Sequence, residues 1–268
     1  MRVAVVQHAP RADVASTARF QCERIREAAS LGARIVVLPE GARTGLAERR
    51  DEALAGAVPL DGEYVSSLAS ISASQRVCIV AHVYEEAVLG ARRVAYNTAV
   101  LLEGGRVALA YRKIHLFDAQ GHLESATVEP GDPSQATDLP VDVDGMSVAV
   151  LTCFDLRFGE LAIARARSGA ALLCVPAAWV AGPGKGAQWE VLCRARAIET
   201  GCFLATAAQP RPRYCGGSAI WGPTGDAVAG PLGADGEGVA VADVDVSAVL
   251  AARAATPTLR HRPVWGAK

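Results

Sequence analysis

Three side chains of complementary chemistry stand just beyond apolar runs. Glu40 follows Ile35-Val36-Val37-Leu38 and Pro39, Lys113 follows Val107–Tyr111, and Cys153 follows Val148–Leu151. A carboxylate, an ammonium and a thiol can together attack an acyl carbon: the carboxylate takes the thiol proton and the ammonium balances the charge that develops. A thiol near pKa ~8.5 and a carboxylate near ~4.3 are mismatched by roughly four units, about 6 kcal/mol against transfer. Burial is expected to raise Glu40, and a neighbouring cation to lower Cys153. A lysine about 4 Å away offers on the order of 4 kcal/mol at an effective dielectric of ~20. Without Lys113, two negative charges would develop side by side, so the chemistry needs the set. Taken singly, each residue has a plainer reading: a small buried hydrophobe, a helix-cap acid and a surface charge beside a hairpin.

The apolar pattern says how the chain could bring them together. Val3–Gln7 reads as a strand. A helix with Ala18, Cys22, Ile25 and Ala29 on one face follows, capped by Ser16 or Thr17 and stopped by Gly32. Ile35–Leu38 is a buried strand ending at Pro39, and a helix with Tyr64, Leu68 and Ile71 precedes a strand over Val77–Val83. Ala99–Leu102 and Val107–Tyr111 flank the turn Glu103-Gly104-Gly105-Arg106 as a hairpin. After Val148–Leu151 come a helix from about Gly159 to Ser168, a strand over Leu172–Val175 and a buried helix over Gln188–Thr200. Phe203–Ala207, Ala219–Trp221 and Val239–Val244 read as later strands. A short helix and an extended Arg/Pro-rich end follow Val246.

Interleaved strands and helices with a hairpin mixed in argue for layered α/β with mixed sheets in one compact domain. In open α/β sheets the strand C-terminal ends gather at one edge, where ligand sites form. Glu40, Lys113 and Cys153 can therefore converge. The Gly-rich stretches Gly182–Gly186 and Gly230–Gly238 read as loops that do not sit between a strand and a helix, so no nucleotide role is assigned to them.

The bulk properties exclude several classes. The 268 residues are 51% hydrophobic, enough for a sizeable core, and carry a formal charge of −1, which argues against nucleic acid or an anionic membrane as partner. No apolar stretch reaches the roughly 18 residues of a membrane span, and the N-terminus lacks a signal-peptide pattern. Seven cysteines, none in C-x-x-C spacing, read as reduced thiols of a cytoplasmic protein rather than a disulfide framework or zinc site.

In this order, three segments resemble the signatures of the nitrilase superfamily of carbon–nitrogen hydrolases. They are Leu38-Pro39-Glu40, Tyr111-Arg112-Lys113-Ile114-His115-Leu116-Phe117 and Cys153-Phe154-Asp155-Leu156-Arg157-Phe158-Gly159-Glu160. Similarity continues through Pro176–Trp179, Trp189–Leu192, Arg194–Ala197, Gly217-Ser218 and Pro263-Val264-Trp265, so it spans essentially the whole chain. The resemblance implies a four-layer α-β-β-α sandwich with two mixed β-sheets, a single domain over residues 1–268. It further implies a homodimer or higher homo-oligomer, with residues 247–268 as a tail packing at the subunit interface. Glu40, Lys113 and Cys153 become base, oxyanion partner and nucleophile. Glu124, in Leu123-Glu124-Ser125, matches a recurring second glutamate that would orient Lys113 or the substrate nitrogen. His115, two residues from Lys113, is expected to be structural.

The activity this resemblance implies is that of a cysteine-dependent amidase, hydrolysing a small linear carboxamide through a thioester with no metal or organic cofactor. The Cys-x-Asp-x-Arg-Phe form is similar to amidases of the omega-amidase and deaminated-glutathione-amidase type, which take carboxylate-bearing amides. Arg157 would grip that carboxylate through its bidentate fork, or else pair structurally with Asp155 or Glu160. Phe154 and Trp179 would line the pocket. Gly217 stands where the closest amidases often carry His, a change expected to widen the pocket. An N-carbamoyl-amine or N-carbamoyl-amino-acid hydrolase is the alternative. A nitrilase, or a non-catalytic binding member of the fold, is the weaker reading.

Overall fold

Alternating apolar residues set the layers. In the computed structural model, which describes residues 1–261, β1 (Arg2–Gln7) turns Val3 and Val5 to one side and Ala4 and Val6 to the other, all four fully buried. A strand apolar on both faces must be covered on both. β1 lies parallel to β2 (Ile35–Val37), and β2 parallel to β3 (Cys78–Leu89). β3, β4 (Arg92–Glu103) and β5 (Arg106–Arg112) then run antiparallel as consecutive hairpins.

A two-stranded ribbon of β6 (Asp118–Ala119) and β7 (His122–Leu123) separates this sheet from the next. The second sheet takes β8 (Val141–Val143), β9 (Met146–Val150), β10 (Leu172–Ala177), β11 (Phe203–Ala208), β12 (Ala219–Trp221) and β13 (Ala227–Ala229) side by side in that order, with β9, β10 and β11 parallel. β14 (Gly238–Asp243) returns to the first sheet and pairs antiparallel with β1. Both six-stranded sheets are mixed.

The helices cover the outer faces. α1 (Val14–Ser30) and α3 (Glu63–Gln75) bury Ile25, Ala28, Leu68 and Ile71 against Ala4, Val6, Val36 and Ile79. α2 (Arg50–Gly56) is a short addition before α3. α4 (Gly159–Arg167) and α5 (Lys185–Thr200) bury Leu161, Ala166, Cys193 and Ala197 in the larger core, which also joins Val3, Val5 and Val37 to Val148, Val150 and Val175 between the sheets. α6 (Val246–Ala255) is the last α-helix of the described chain, followed by a single 3-10 turn over Thr258–Arg260. The expected four-layer α-β-β-α sandwich is therefore present as a single domain.

Several details differ from expectation. The cap of α1 is Asp13, whose carboxylate accepts from the Ser16 N–H at 2.7 Å; Ser16 returns the bond as the third residue of a capping box. Ser16 and Thr17 are thus inside the helix, because a side chain three residues upstream can satisfy the free N–H. β3 and β4 run on to Leu89 and from Arg92, where Glu85, Glu86, Arg92 and Arg93 interrupt the apolar pattern. α5 begins at Lys185, so Gly182–Gly184 do link a strand, β10, to a helix. Lys185-Gly186-Ala187 carry too little apolar periodicity to announce that first turn.

The tail from Val246 to His261 folds back on its own chain: Arg253 donates to Thr200 O and Ala170 O, and Arg167 to Leu259 O and His261 O. The remainder of the expected interface tail, 262–268 with Pro263-Val264-Trp265, lies outside the described residues. All seven cysteines are free. Among the described residues, no helix is long and apolar enough to cross a membrane.

Candidate active site

Glu40, Lys113 and Cys153 come from three different strands and meet in one cavity. β2 delivers Glu40 past Pro39, β5 delivers Lys113, and β9 ends two residues before the turn that opens with Cys153. All three line a pocket of about 280 Å³, together with Glu124, Phe154, Arg157 and Trp179. Glu40 is fully buried and Lys113 nearly so, at 2% exposed.

Lys113 is the hub. Its Nζ donates to Glu40 Oε1 at 3.0 Å and to Glu124 Oε2 at 2.8 Å. Asn97 Nδ2, on β4, ties the two carboxylates together, donating to Glu40 Oε1 at 2.8 Å and Glu124 Oε1 at 2.7 Å. Glu124 Oε2 also accepts from the Phe117 N–H at 2.7 Å, and Glu40 Oε2 from the Ala178 N–H at 2.9 Å. A buried ion pair is tolerated only when its other polar atoms are partnered, and here each oxygen of Glu40 and Glu124 accepts at least one hydrogen bond.

Cys153 has a left-handed backbone, φ +45°, uncommon for a residue with a side chain. Its turn is held by Asp155, whose Oδ2 accepts from the Thr152 N–H at 2.9 Å and the Tyr111 hydroxyl at 2.8 Å. Asp155 Oδ1 accepts from the His115 N–H at 3.1 Å and meets His115 Nδ1 at 2.8 Å. His115 also stacks on Phe158, with centroids 3.6 Å apart. It is the structural histidine expected, clamped to Asp155.

The electrostatics reverse two expectations. Burial works to raise Glu40, but Lys113, His82 and Asn97 outweigh it and hold the carboxyl below its usual 4.5. For Cys153, burial and the adjacent Glu40 charge push the thiol well above its usual 9.0, against weaker opposition from Lys113 and the Ala178 N–H. Burial opposes charge on Lys113, yet Glu124 and Glu40 keep the ammonium well above 10.5. Expectation had Glu40 raised and Cys153 lowered. The difference arises because burial of the sulfur, and then the Glu40 charge beside it, outweigh the Lys113 field at Cys153, whereas at Glu40 the Lys113, His82 and Asn97 contacts outweigh burial. Cys153 rests as a thiol beside an ionised Glu40.

The outer pocket is aromatic and cationic. Phe154 packs edge-on to Phe117 at 5.1 Å, and Trp179 lies 5.4 Å from Trp189. Arg157 makes no ion pair with Asp155 or Glu160; its Nη2 donates to Gln188 Oε1 at 2.8 Å, and its guanidinium lies 4.8 Å from the Trp179 ring. Asp155 is unavailable because Tyr111, Thr152 and His115 occupy it. Gly217 does not line the pocket, contrary to the expected widening. It packs beside Trp189, whose Nε1 donates to its carbonyl at 3.1 Å, with a left-handed φ of +78° that favours glycine.

Asn97, Asp155 and Lys185 were not singled out from sequence as site residues. Asn97 had a signal, a polar residue inside the apolar run of β4. Asp155 had one in its fixed spacing from Cys153. Lys185 had none, since its neighbours Gly182–Gly186 read as loop.

A fold of this kind, with these groups brought to one cavity from strand ends of both sheets, defines a carbon–nitrogen hydrolase. The chain belongs to that family: the carbon-nitrogen hydrolase family model matches residues 2–254. The deaminated glutathione amidase of Escherichia coli O157:H7 is 32% identical, over 98% of this chain and 97% of that one. Saccharomyces cerevisiae Nit3, a member of branch 10 of the nitrilase superfamily, superposes with a TM-score of 0.82 at 25% identity, covering 96% of this chain and 94% of its own. The amidase from Nesterenkonia sp. AN1, in a mutant form showing Michael addition of acrylamide at its active-site cysteine, gives 0.75 at 26% identity, with 95% and 97% covered. The protein is an enzyme of the nitrilase superfamily, an amidase by its relatives.

Proposed function

We propose that the protein hydrolyses a small linear carboxamide bearing a carboxylate to the acid and ammonia, through a thioester on Cys153. The observation that carries this reading is the Lys113 ammonium held between Glu40 and Glu124 in the cavity that Cys153 opens onto. Because the resting sulfur keeps its proton, Glu40 removes it as the sulfur attacks the amide carbon, not beforehand. The carbonyl oxygen becomes an oxyanion facing Lys113 and a backbone N–H at or after Cys153. Glu40 then gives the proton to the leaving nitrogen, the C–N bond breaks, and ammonia departs. Water adds to the thioester carbon, Glu40 takes its proton, and collapse releases the acid while the proton returns to sulfur. Glu124 keeps Lys113 oriented throughout. Arg157, free of an ion pair with Asp155 or Glu160, receives the substrate carboxylate, and Phe154 and Trp179 flank the substrate's carbon chain. The enzyme works as a homodimer or higher homo-oligomer in the cytoplasm, a reducing setting that suits seven free thiols.

The test is intact-mass trapping during turnover of glutaramate, with ammonia and carbon dioxide both measured. One acyl mass added to wild type, none to Cys153→Ala, and ammonia without carbon dioxide are expected. Equimolar carbon dioxide from N-carbamoyl substrates, with no turnover of amides, would overturn it.

A further inference from the structure

Charge is balanced unevenly along the pocket. At its floor, Lys113 has two carboxylates. At its rim, Arg213 pairs with Glu48 at 2.7 Å. Between them stand Arg157 and Lys185, and neither meets a carboxylate among the described residues; their polar side-chain partners are the neutral amides of Gln188 and Gln120.

Lys185 is the less expected of the two. It is the first residue of α5 and only 5% exposed, yet its ammonium has no counter-charge among the described residues. Its Nζ donates to Gln120 Oε1 at 3.2 Å and lies 5.1 Å from the Trp179 ring and 5.6 Å from that of Phe117. Aromatic faces and one amide oxygen replace only part of the hydration that an ammonium loses. Burial and the nearby Arg157 charge together hold Lys185 below its usual range. An anion between Lys185 and Arg157 would relieve both the desolvation and the mutual repulsion of the two cations.

We propose that Lys185 is a specificity-determining residue, its ammonium joining Arg157 to bind the anionic tail of the substrate and exchanging the Gln120 oxygen for a carboxylate oxygen. This rests on the amidase reading of the same pocket and names the second cation that, with Arg157, selects amides whose far end is negatively charged. Gln120 tips the β6–β7 ribbon, so release of its amide frees that ribbon from α5 as the substrate enters. The site prefers a carboxylate to a neutral tail because a neutral tail leaves two cations unmatched.

The test compares kcat/KM for glutaramate with that for hexanamide, in which an ethyl group replaces the carboxylate, for wild type, Lys185→Met and Lys185→Arg. Wild type should favour glutaramate. Lys185→Met should lower the glutaramate-to-hexanamide ratio roughly 10- to 100-fold, chiefly through KM for glutaramate. Lys185→Arg should keep most of the ratio, which also guards against a variant that merely misfolds. A ratio unchanged in Lys185→Met, or a wild type that takes both amides equally, overturns the role of Lys185 while leaving amide hydrolysis intact. Absence of ammonia from wild type with either amide overturns the amidase reading itself.

Discussion

The Tyr111 hydroxyl donates to Asp155 Oδ2 at 2.8 Å, with neither side chain exposed, and so joins the strand that carries Lys113 to the turn that carries Cys153. These two residues come from opposite sheets, and their bond fixes the spacing of ammonium and sulfur. Tyr111→Phe removes one hydrogen bond to a buried carboxylate, costing roughly 1.5–3 kcal/mol in chemical denaturation. Asp155→Asn should be worse for activity, because an amide cannot accept from Thr152, Tyr111 and His115 at once. Ammonia-release kinetics on the two variants check the order. Equal kcat in wild type and Asp155→Asn would show that the clamp is not what places Cys153.

A resting thiol makes a spectroscopic prediction. At neutral pH the ultraviolet difference between wild type and Cys153→Ala should lack a thiolate band. Burial and the Glu40 charge hold the thiol well above 9.0, whereas an enzyme with a preformed ion pair would show that band. A band titrating near neutrality would sink the concerted proton transfer from Cys153 to Glu40.

The pH profile follows with a defined sign. Glu40 is held below 4.5 in the folded chain, so its contribution to stability is present above 4.5 and is lost as pH falls through the lower folded value. The proposed cycle needs it ionised, so the acid limb of kcat should fall below 4.5. Cys153 and Lys113 lie well above 9.0 and 10.5, so neither should give kcat a basic limb before the thiol's usual value. His82 near the site, lowered to about 4 chiefly by burial, stays neutral across that plateau. Measured kcat should therefore be flat through neutrality, and an acid limb near pH 6 to 7, as a histidine base gives, would contradict Glu40 as base.

Glu124 holds Lys113 as a second carboxylate beside Glu40 and takes the Phe117 N–H as well. Glu124→Gln keeps the shape but removes a charge, so Lys113 should swing toward Glu40 alone. The expected result is a loss in kcat on the order of 10²-fold with KM changed far less. A loss confined to KM would instead place Glu124 on the substrate's tail.

Much of this site was legible because its chemistry is local in sequence. Glu40, Lys113 and Cys153 each follow an apolar strand, and strand ends gather at an edge by a general rule of α/β folds. The layers were legible too, since Val3/Val5 and Ala4/Val6 are apolar on both faces. What escaped was set by distant partners. No pattern near Lys185 says that its ammonium turns inward between Trp179 and Phe117. The protonation states of Glu40 and Cys153 depend on how deeply each is buried and on partners brought from elsewhere in the chain, Lys113, His82 and Asn97 for Glu40 and Glu40 itself for Cys153. The cap of α1 escaped for a smaller reason: Asp13, Ser16 and Thr17 can all cap, and geometry chose among them.

Gly131 tests the backbone under the site. Its N–H donates to Lys113 O at 2.8 Å, and a Cβ built there would lie 2.1 Å from Arg112 O and 2.7 Å from Arg112 C. Those are backbone atoms, which cannot rotate out of the way as a side-chain tip can. Gly131→Ala must therefore push the segment after Glu129-Pro130 away from β5, or push β5 itself and carry Lys113 with it. Overpacking of this kind costs about 1–3 kcal/mol, read as a lower denaturation midpoint. The second readout separates the two routes. If β5 yields, kcat falls beyond what the lost stability explains, because Lys113 is displaced from its bonds to Glu40 and Glu124. If only the loop yields, the midpoint drops while kcat on the folded fraction is kept. Since Lys113 O accepts directly from Gly131, the first outcome is expected. A Gly131→Ala enzyme of unchanged kcat and unchanged midpoint would mean that the close approach of these two backbones does not exist in solution.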